Sequence, residues 1–178
     1  MEPLRTLLSV PGNRQKMIDK ARHLPADVLI LDLEDSIPRS EKAAARTMVR
    51  ESIAGMALAG QQVFVRINSI AGGLALEDLE AVIAPGLDGI NQPKPATAGD
   101  IIKVADIIER LERERGIEWG SIKLLPWVET AKGLLNAFDI ASASPRVVGI
   151  VFGAEDFALD TGIMRTEEGD ELLYPRMT

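Results

Sequence analysis

The chain has 178 residues, with 20 Lys+Arg against 27 Asp+Glu, a formal charge of −7, and 46% hydrophobic residues. That is one ordinary domain with enough apolar content to bury a sizeable core, and it excludes a globally disordered chain. The acidic balance argues against a nucleic-acid partner, and the lack of cysteine excludes disulfides, thiolate nucleophiles and Cys-type zinc sites.

The single histidine, His23, cannot build a multi-His metal site, and its place in the Arg22-His23-Leu24-Pro25 connection reads as surface. No apolar run approaches the roughly 18 residues of a membrane span. The opening MEPLRTLLSV lacks the basic and apolar regions of a signal peptide. A cytoplasmic protein with no membrane partner is the expectation.

Along the chain, short apolar runs predict strands at Thr6–Val10, Val28–Leu33, Val63–Ile67, Gly89–Pro93, Lys123–Val128 and Val147–Phe152. Helical spacing predicts Arg14–Arg22, Ser40–Ala54, Leu76–Ile83, Thr97–Arg115 and Ala131–Ala143 between them. Pro11-Gly12-Asn13 opens the first helix, Ser40 with Glu41 the second, and Thr97 with Asp100 the fourth. In the fourth, Ile101, Val104, Ala105 and Ile108 share a core-facing stripe, and Glu109 and Arg113 can pair on the solvent side.

Strict β-α alternation with near-continuous apolar strands predicts a parallel sheet covered on both faces. Six units at about 30 residues each fit either an open six-stranded sheet or a (β/α)₈ barrel lacking two units, since a complete barrel takes about 250 residues. Spacing alone leaves both open. No repeat or linker divides residues 1–178, which read as a single domain.

Charged residues gather at the strand C-termini, where both architectures form ligand sites. The second strand ends in VLILDLED, so Asp32 and Glu34 share a face and Asp35 lies just beyond. The third ends in VRIN, and the Arg66 guanidinium suits either a ligand carboxylate or an internal pair with the strand-two acids. Lys94 stands between Pro93 and Pro95 and reads as an anion contact or a surface lysine. Glu129 ends the fifth strand, and Glu155 and Asp156 end the sixth, with Asp160 four residues on. Glu129 and Asp156 come from adjacent strands and can converge on one hard cation; Mg²⁺ suits two carboxylates completed by water and substrate. Gly149-Ile-Val-Phe-Gly153 has neither a Walker lysine nor dinucleotide-binding spacing.

Taken in order, SVPGNR, DLEDSIPRSEKAAAR, VRIN, PKPA, VETAKG and GAEDFALDTG resemble the family of citrate lyase β-subunits, malyl-CoA lyases and citramalyl-CoA lyases, from about Leu4 to the end of the chain. The resemblance implies an α/β fold, the (β/α)₈ TIM barrel of the phosphoenolpyruvate/pyruvate type, of which about six units are present. It implies a Mg²⁺-dependent carbon–carbon lyase that cleaves a 2-hydroxyacyl-CoA thioester (citryl-, malyl- or citramalyl-CoA) to an acyl-CoA and a 2-oxo acid. By motif, Glu129 and Asp156 become metal ligands, and Glu34 and Asp35 hold metal-bound waters. Arg66 binds the substrate carboxylate and the developing enolate oxygen. Backbone amides around Gly153 and Ala154 cradle the 2-oxo acid carboxylate, and Arg14 contacts the CoA phosphates. The family forms trimers or hexamers, so a homo-oligomer is implied.

The sequence departs from the family in two places. Family chains continue past the segment matching Tyr174-Pro175-Arg176 into further barrel units and a lid that brings a proton-transfer aspartate. The expectation is therefore a truncated form of a larger barrel, with strand edges left unpaired. Asn91-Gln92 stand where the family usually has apolar residues. Two rival readings stay open: a binding module or lyase-complex subunit that holds a 2-oxo acid or acyl-CoA without turnover, and a class II pyruvate aldolase acting on free 2-oxo acids.

Overall fold

The computed structural model describes residues 4–56 and 60–178. Six strands, β1 (Leu7–Pro11), β2 (Val28–Asp32), β3 (Gln62–Arg66), β4 (Gly89–Pro93), β5 (Lys123–Val128) and β6 (Val151–Phe152), form one sheet. All five pairings are parallel and follow chain order, β1-β2-β3-β4-β5-β6. A doubly wound sheet reverses its strand order partway; this one never does. Right-handed crossovers taken always in one direction put every helix on the same face, and the sheet curls around the other. The six strands are thus a curled barrel wall.

The side chains separate accordingly. Leu29, Leu31, Leu33, Val63, Val65, Ile67, Ile90 and Leu124 point outward and pack against helices α1 (Gln15–Ala21), α2 (Lys42–Met56), α3 (Ala75–Val82) and α4 (Ala98–Arg115), through Ile18, Val49, Ile53, Leu79, Val104 and Ile108. On the inner face a smaller cluster, Val28, Ile30, Phe64 and Leu125, is joined by Trp127, Val148 and Val151. The period of two makes one strand serve both: Val28 and Ile30 lie inside, with Asp32 next on the same face. Phe64 fills the inner layer by lying over Gly89, where a Cβ would come within 2.2 Å of its ring.

Several predicted boundaries move. Ser40 does not cap a helix; it sits inside a 3₁₀ turn (Arg39–Glu41) behind Pro38, and α2 begins at Lys42. Thr97 and Asp100 do open α4 as expected, with Asp100 accepting from the Ala96 and Thr97 amides, each at 3.0 Å. The Glu109–Arg113 pair forms at 3.0 Å. The helix expected over Ala131–Ala143 is two pieces, α5 (Ala131–Leu135) and α6 (Ala137–Ser142). Asn136 breaks it by leaving helical ψ and spending its side-chain amide on the Ala96 carbonyl at 2.8 Å. The sixth strand is also interrupted. Leu124 pairs with Val147 and Trp127 with Val151, so four steps oppose three and one residue bulges out. Beyond it lie α7 (Ala154–Thr161) and α8 (Leu173–Met177), too short to show as periodic patterns. No helix among the described residues is long and apolar enough to cross a membrane.

Candidate metal and anion site

Parallel strands in register deliver their C-terminal ends to one rim. Pro11, Asp32, Arg66, Asn91 and Leu125 stand level across the first five strands. Glu34, Asp35, Asn68, Lys94, Glu129 and Asp156 follow within four residues of the strand ends.

Asp32 is the hub. Arg66 donates to it through Nε and Nη2, both at 2.7 Å, and the amides of Glu34 and Ser36 donate at 2.8 and 3.1 Å. Burial pushes this carboxyl up, but the Arg66 hydrogen bonds and charge outweigh it and hold Asp32 below the usual range. The internal pair between Arg66 and a strand-two acid is therefore formed. Only Nη1 remains, and it faces Glu34 and Asp35, each at 3.4 Å. The guanidinium lies over the Trp127 ring, 5.3 Å from its centroid. Burial opposes the charge of Arg66, but Asp32, Glu34 and Asp35 more than offset it and hold the group charged.

Glu129 and Asp156 come together as the sequence suggests. Glu129 is 1% exposed, and burial, followed by the repulsion of Asp156 and Glu34 against the attraction of Lys94, pushes its carboxyl up to about 8. Glu34 is raised too, by burial and then by Asp35, and its Oε2 is buried without a hydrogen-bond partner. Lys94 stands among these acids, 3.1 Å from Glu34, 3.3 Å from Asp156 and 3.7 Å from Asp35. It is neither a surface lysine nor a free anion contact, because its ammonium is already committed to carboxylates.

The remaining predicted residues fall less simply. The Gly153 amide donates to the Val128 carbonyl at 3.0 Å, so it extends the sheet rather than facing a ligand. What Gly153 supplies is room: a Cβ there would lie 2.4 Å from Glu129 Oε2. Ala154 opens α7, whose first turn carries Glu155 and Asp156. Glu155 points away and pairs with Arg165, and Asp160 accepts from the Ala131 amide at 2.8 Å, opening α5. Arg14 lies exposed at the start of α1, above the end of β1 on the same rim.

Three supports escape the sequence reading. Lys42 donates to the Leu33 and Glu34 carbonyls and to Asn68 Oδ1, at 2.7, 2.6 and 2.7 Å. Asn68 is held in turn by buried Asp78, which accepts from its amide and side chain at 2.6 Å each and from Arg46 at 2.7 Å. This chain of contacts ties the end of β2, with its acids, to α2, β3 and α3. The third is Trp127, whose period-two relation to Glu129 is the one signal that would have placed it inside; its indole Nε1 is buried without a partner. Asn91, the departure in strand four, is fully buried beside Arg66 and donates to the Leu125 carbonyl at 2.7 Å.

Among the described residues no group of three or more His, Cys, Asp or Glu side chains could hold a metal alone. Two carboxylates completed by water and a bound anion are what a Mg²⁺ site of this kind takes. Raised Glu129 fits that donor set, and Glu34 Oε2, which has no hydrogen-bond partner and Arg66 Nη1 at 3.4 Å, is placed to accept from a cation's water.

A parallel β/α barrel wall that gathers acids and an oriented arginine at its C-terminal rim has the build of a barrel enzyme site. The chain belongs to the HpcH/HpaI aldolase/citrate lyase family, whose model matches residues 5–178. It is 38% identical over 172 residues to the citrate lyase subunit beta of Escherichia coli K12, covering 97% of this chain and 57% of that protein. With mitochondrial citramalyl-CoA lyase of Homo sapiens it shares 34% identity over 184 residues, 98% of this chain and 54% of that one. The citrate lyase beta subunit of M. tuberculosis, solved in complex with oxaloacetate and magnesium, matches with a TM-score of 0.75 at 30% identity, over 96% of this chain and 70% of that chain. The chain spans little more than half the length of the curated relatives it matches.

Proposed function

We propose that this chain carries the Mg²⁺- and 2-oxo-acid-binding part of a carbon–carbon lyase acting on a 2-hydroxyacyl-CoA thioester of the citryl, malyl or citramalyl type. The observation that supports this most is the approach of Glu129 and Asp156 beside Glu34 and Asp35, with Nη1 of Arg66 3.4 Å from the latter two.

In this reading Glu129 and Asp156 anchor the cation, and Glu34 and Asp35 accept from its waters. When bound, Mg²⁺ would supply Lewis-acid polarisation of the substrate's hydroxyl and carboxylate oxygens. In the cleavage a base takes the hydroxyl proton, the carbon–carbon electron pair passes to the acyl-CoA as an enolate, and that charge falls on the thioester oxygen until a proton returns to carbon. Arg66 is suited to that charge because Asp32 fixes its plane and leaves one donor pointing into the site. Ala154, at the N-terminus of α7, offers a backbone donor to the 2-oxo acid carboxylate, and Arg14 faces the CoA phosphates from the rim. A cytoplasmic homo-oligomer, trimeric or hexameric, belongs to the same reading.

Thermal unfolding with Mg²⁺, oxaloacetate, both or neither tests it. A ligand at 100 times its Kd adds about 2.7 kcal/mol, which moves the midpoint by several degrees. A shift that needs both components supports a cation-bridged 2-oxo acid site. A cooperative transition that neither component moves overturns the reading.

A further inference from the structure

We propose that Lys94 is a built-in competitor for the divalent cation: its ammonium occupies the space among the carboxylates and is displaced toward the bound anion when Mg²⁺ enters. The inference rests on the metal reading above and adds a residue that this reading does not use.

The first support is position. Nζ lies 3.1 Å from Glu34 Oε1, 3.3 Å from Asp156 Oδ2 and 3.7 Å from Asp35 Oδ1. The Lys94 amide donates to Glu129 Oε1 at 3.2 Å. One residue thus reaches all four acids assigned to the cation and its waters. An ammonium and a hydrated divalent cation cannot share that space.

The second is the backbone. Lys94 has φ +52°, the only positive value at a non-glycine among the described residues. A residue with a Cβ meets a steric cost there that glycine does not, and such strain persists where surrounding structure enforces it. Pro93 and Pro95 restrict the turn on either side. From outside, α5 presses so close that a Cβ at Gly133 would lie 2.6 Å from the Pro95 carbonyl, and Asn136 donates to the Ala96 carbonyl at 2.8 Å. The turn is clamped and the side chain is aimed inward.

The third is incomplete compensation. A lysine serving only as a structural partner would leave its acids satisfied. Here Glu34 Oε2 stays without a hydrogen-bond partner, with only Arg66 Nη1 near it at 3.4 Å. A single charge shared among Glu34, Asp35 and Asp156 compensates them less fully than a cation of twice the charge with an octahedral shell. The Lys94 side chain is 28% exposed and carried on a flexible stem, so it can withdraw without disturbing the turn. Once displaced it remains at the rim, a cation free for the carboxylate of the ligand.

Calorimetric titration of Mg²⁺ into the wild-type chain, Lys94→Met and Lys94→Arg at fixed pH and ionic strength tests this. Removing the competing charge should tighten Mg²⁺ binding about tenfold in Lys94→Met, the effect of roughly one well-placed ion pair. Lys94→Arg should stay near the wild-type value. With Mg²⁺ saturating, oxaloacetate should bind several-fold more weakly to Lys94→Met. Equal or weaker Mg²⁺ binding by Lys94→Met overturns the competition while leaving the metal site standing. Absence of binding in all three proteins overturns the metal reading and this inference with it. If Lys94→Met does not fold, Cε NMR signals of the seven lysines in the wild-type chain supply the answer. One signal, assigned by its absence from Lys94→Arg, should move with the Mg²⁺ midpoint, and a stationary signal overturns the proposal.

Discussion

Asp32 and Arg66 face each other across adjacent strands at one register level and are joined by two hydrogen bonds of 2.7 Å. The pair is buried, so the carboxylate serves less as a ligand than as the part that fixes the guanidinium plane. That leaves Nη1 directed at the acid cluster.

Asp32→Asn should therefore destabilise the fold by about 3 kcal/mol, since breaking a buried pair leaves an uncompensated charge. Denaturant titration measures it. Arg66→Lys should lose oxaloacetate affinity, because a single ammonium nitrogen cannot reproduce the planar fork on Asp32 and also reach the position of Nη1. Unchanged affinity would make Arg66 a structural partner only.

Glu129→Gln should abolish the Mg²⁺-dependent thermal shift and leave the metal-free midpoint unchanged or higher. Burial and Asp156 already push Glu129 up to about 8, so near neutrality the metal-free protein holds this side chain mainly uncharged, and an amide mimics that state. Asp156→Asn should lose the same shift. Two variants that retain it would remove both residues from the metal assignment.

Gly153→Ala tests the space beside Glu129. The added methyl would meet Glu129 Oε2 at 2.4 Å and its Cβ at 2.6 Å, so the carboxylate must turn away. The expected result is Mg²⁺ binding weakened at least about tenfold, with a stability loss of about 1–3 kcal/mol from overpacking. Wild-type Mg²⁺ affinity would show that the carboxylate can move freely.

Acid sensitivity should come partly from a second pair, far from the site. Glu112 is fully buried and accepts from Arg146 at 2.6 and 2.8 Å and from the Gly120 and Ile122 amides at 3.0 Å. Burial raises its pKa, but the Arg146 and amide hydrogen bonds prevail and the net shift is downward. A carboxyl depressed by folding stabilises above its unfolded value near 4.3, and that stability is lost as pH falls through the lower folded value. Denaturant midpoints should therefore drop below about pH 4 in the wild type and less steeply in Glu112→Gln. At pH 7, Glu112→Ala should cost about 3–5 kcal/mol by stranding Arg146.

Much of the fold is legible in the residues. Apolar runs such as Val28–Leu31 and Lys123–Val128 mark strands, because strands covered on both faces must be apolar throughout. Cap residues such as Asp100 mark a helix start because orphan amides need a local acceptor. The breaks at Asn136 and in the sixth strand are not legible locally. Asn136 leaves the helix to reach Ala96, 40 residues earlier. The bulge opposite β5 likewise depends on which strand lies alongside.

By itself the sequence determined the alternation of strands and helices, the placing of the acids and Arg66 at strand ends, and, through six ordered motifs, the family. Those are matters of local spacing and residue order. The tertiary structure decided that the sheet keeps one winding direction, that Asp32 rather than a ligand takes the Arg66 fork, and that Gly153 gives space instead of a donor. It also put Lys94 among four acids drawn from three other segments of the chain. Register and curl bring those segments to one rim, and an interaction between charges depends on their distance in space, which residue spacing along a chain does not contain.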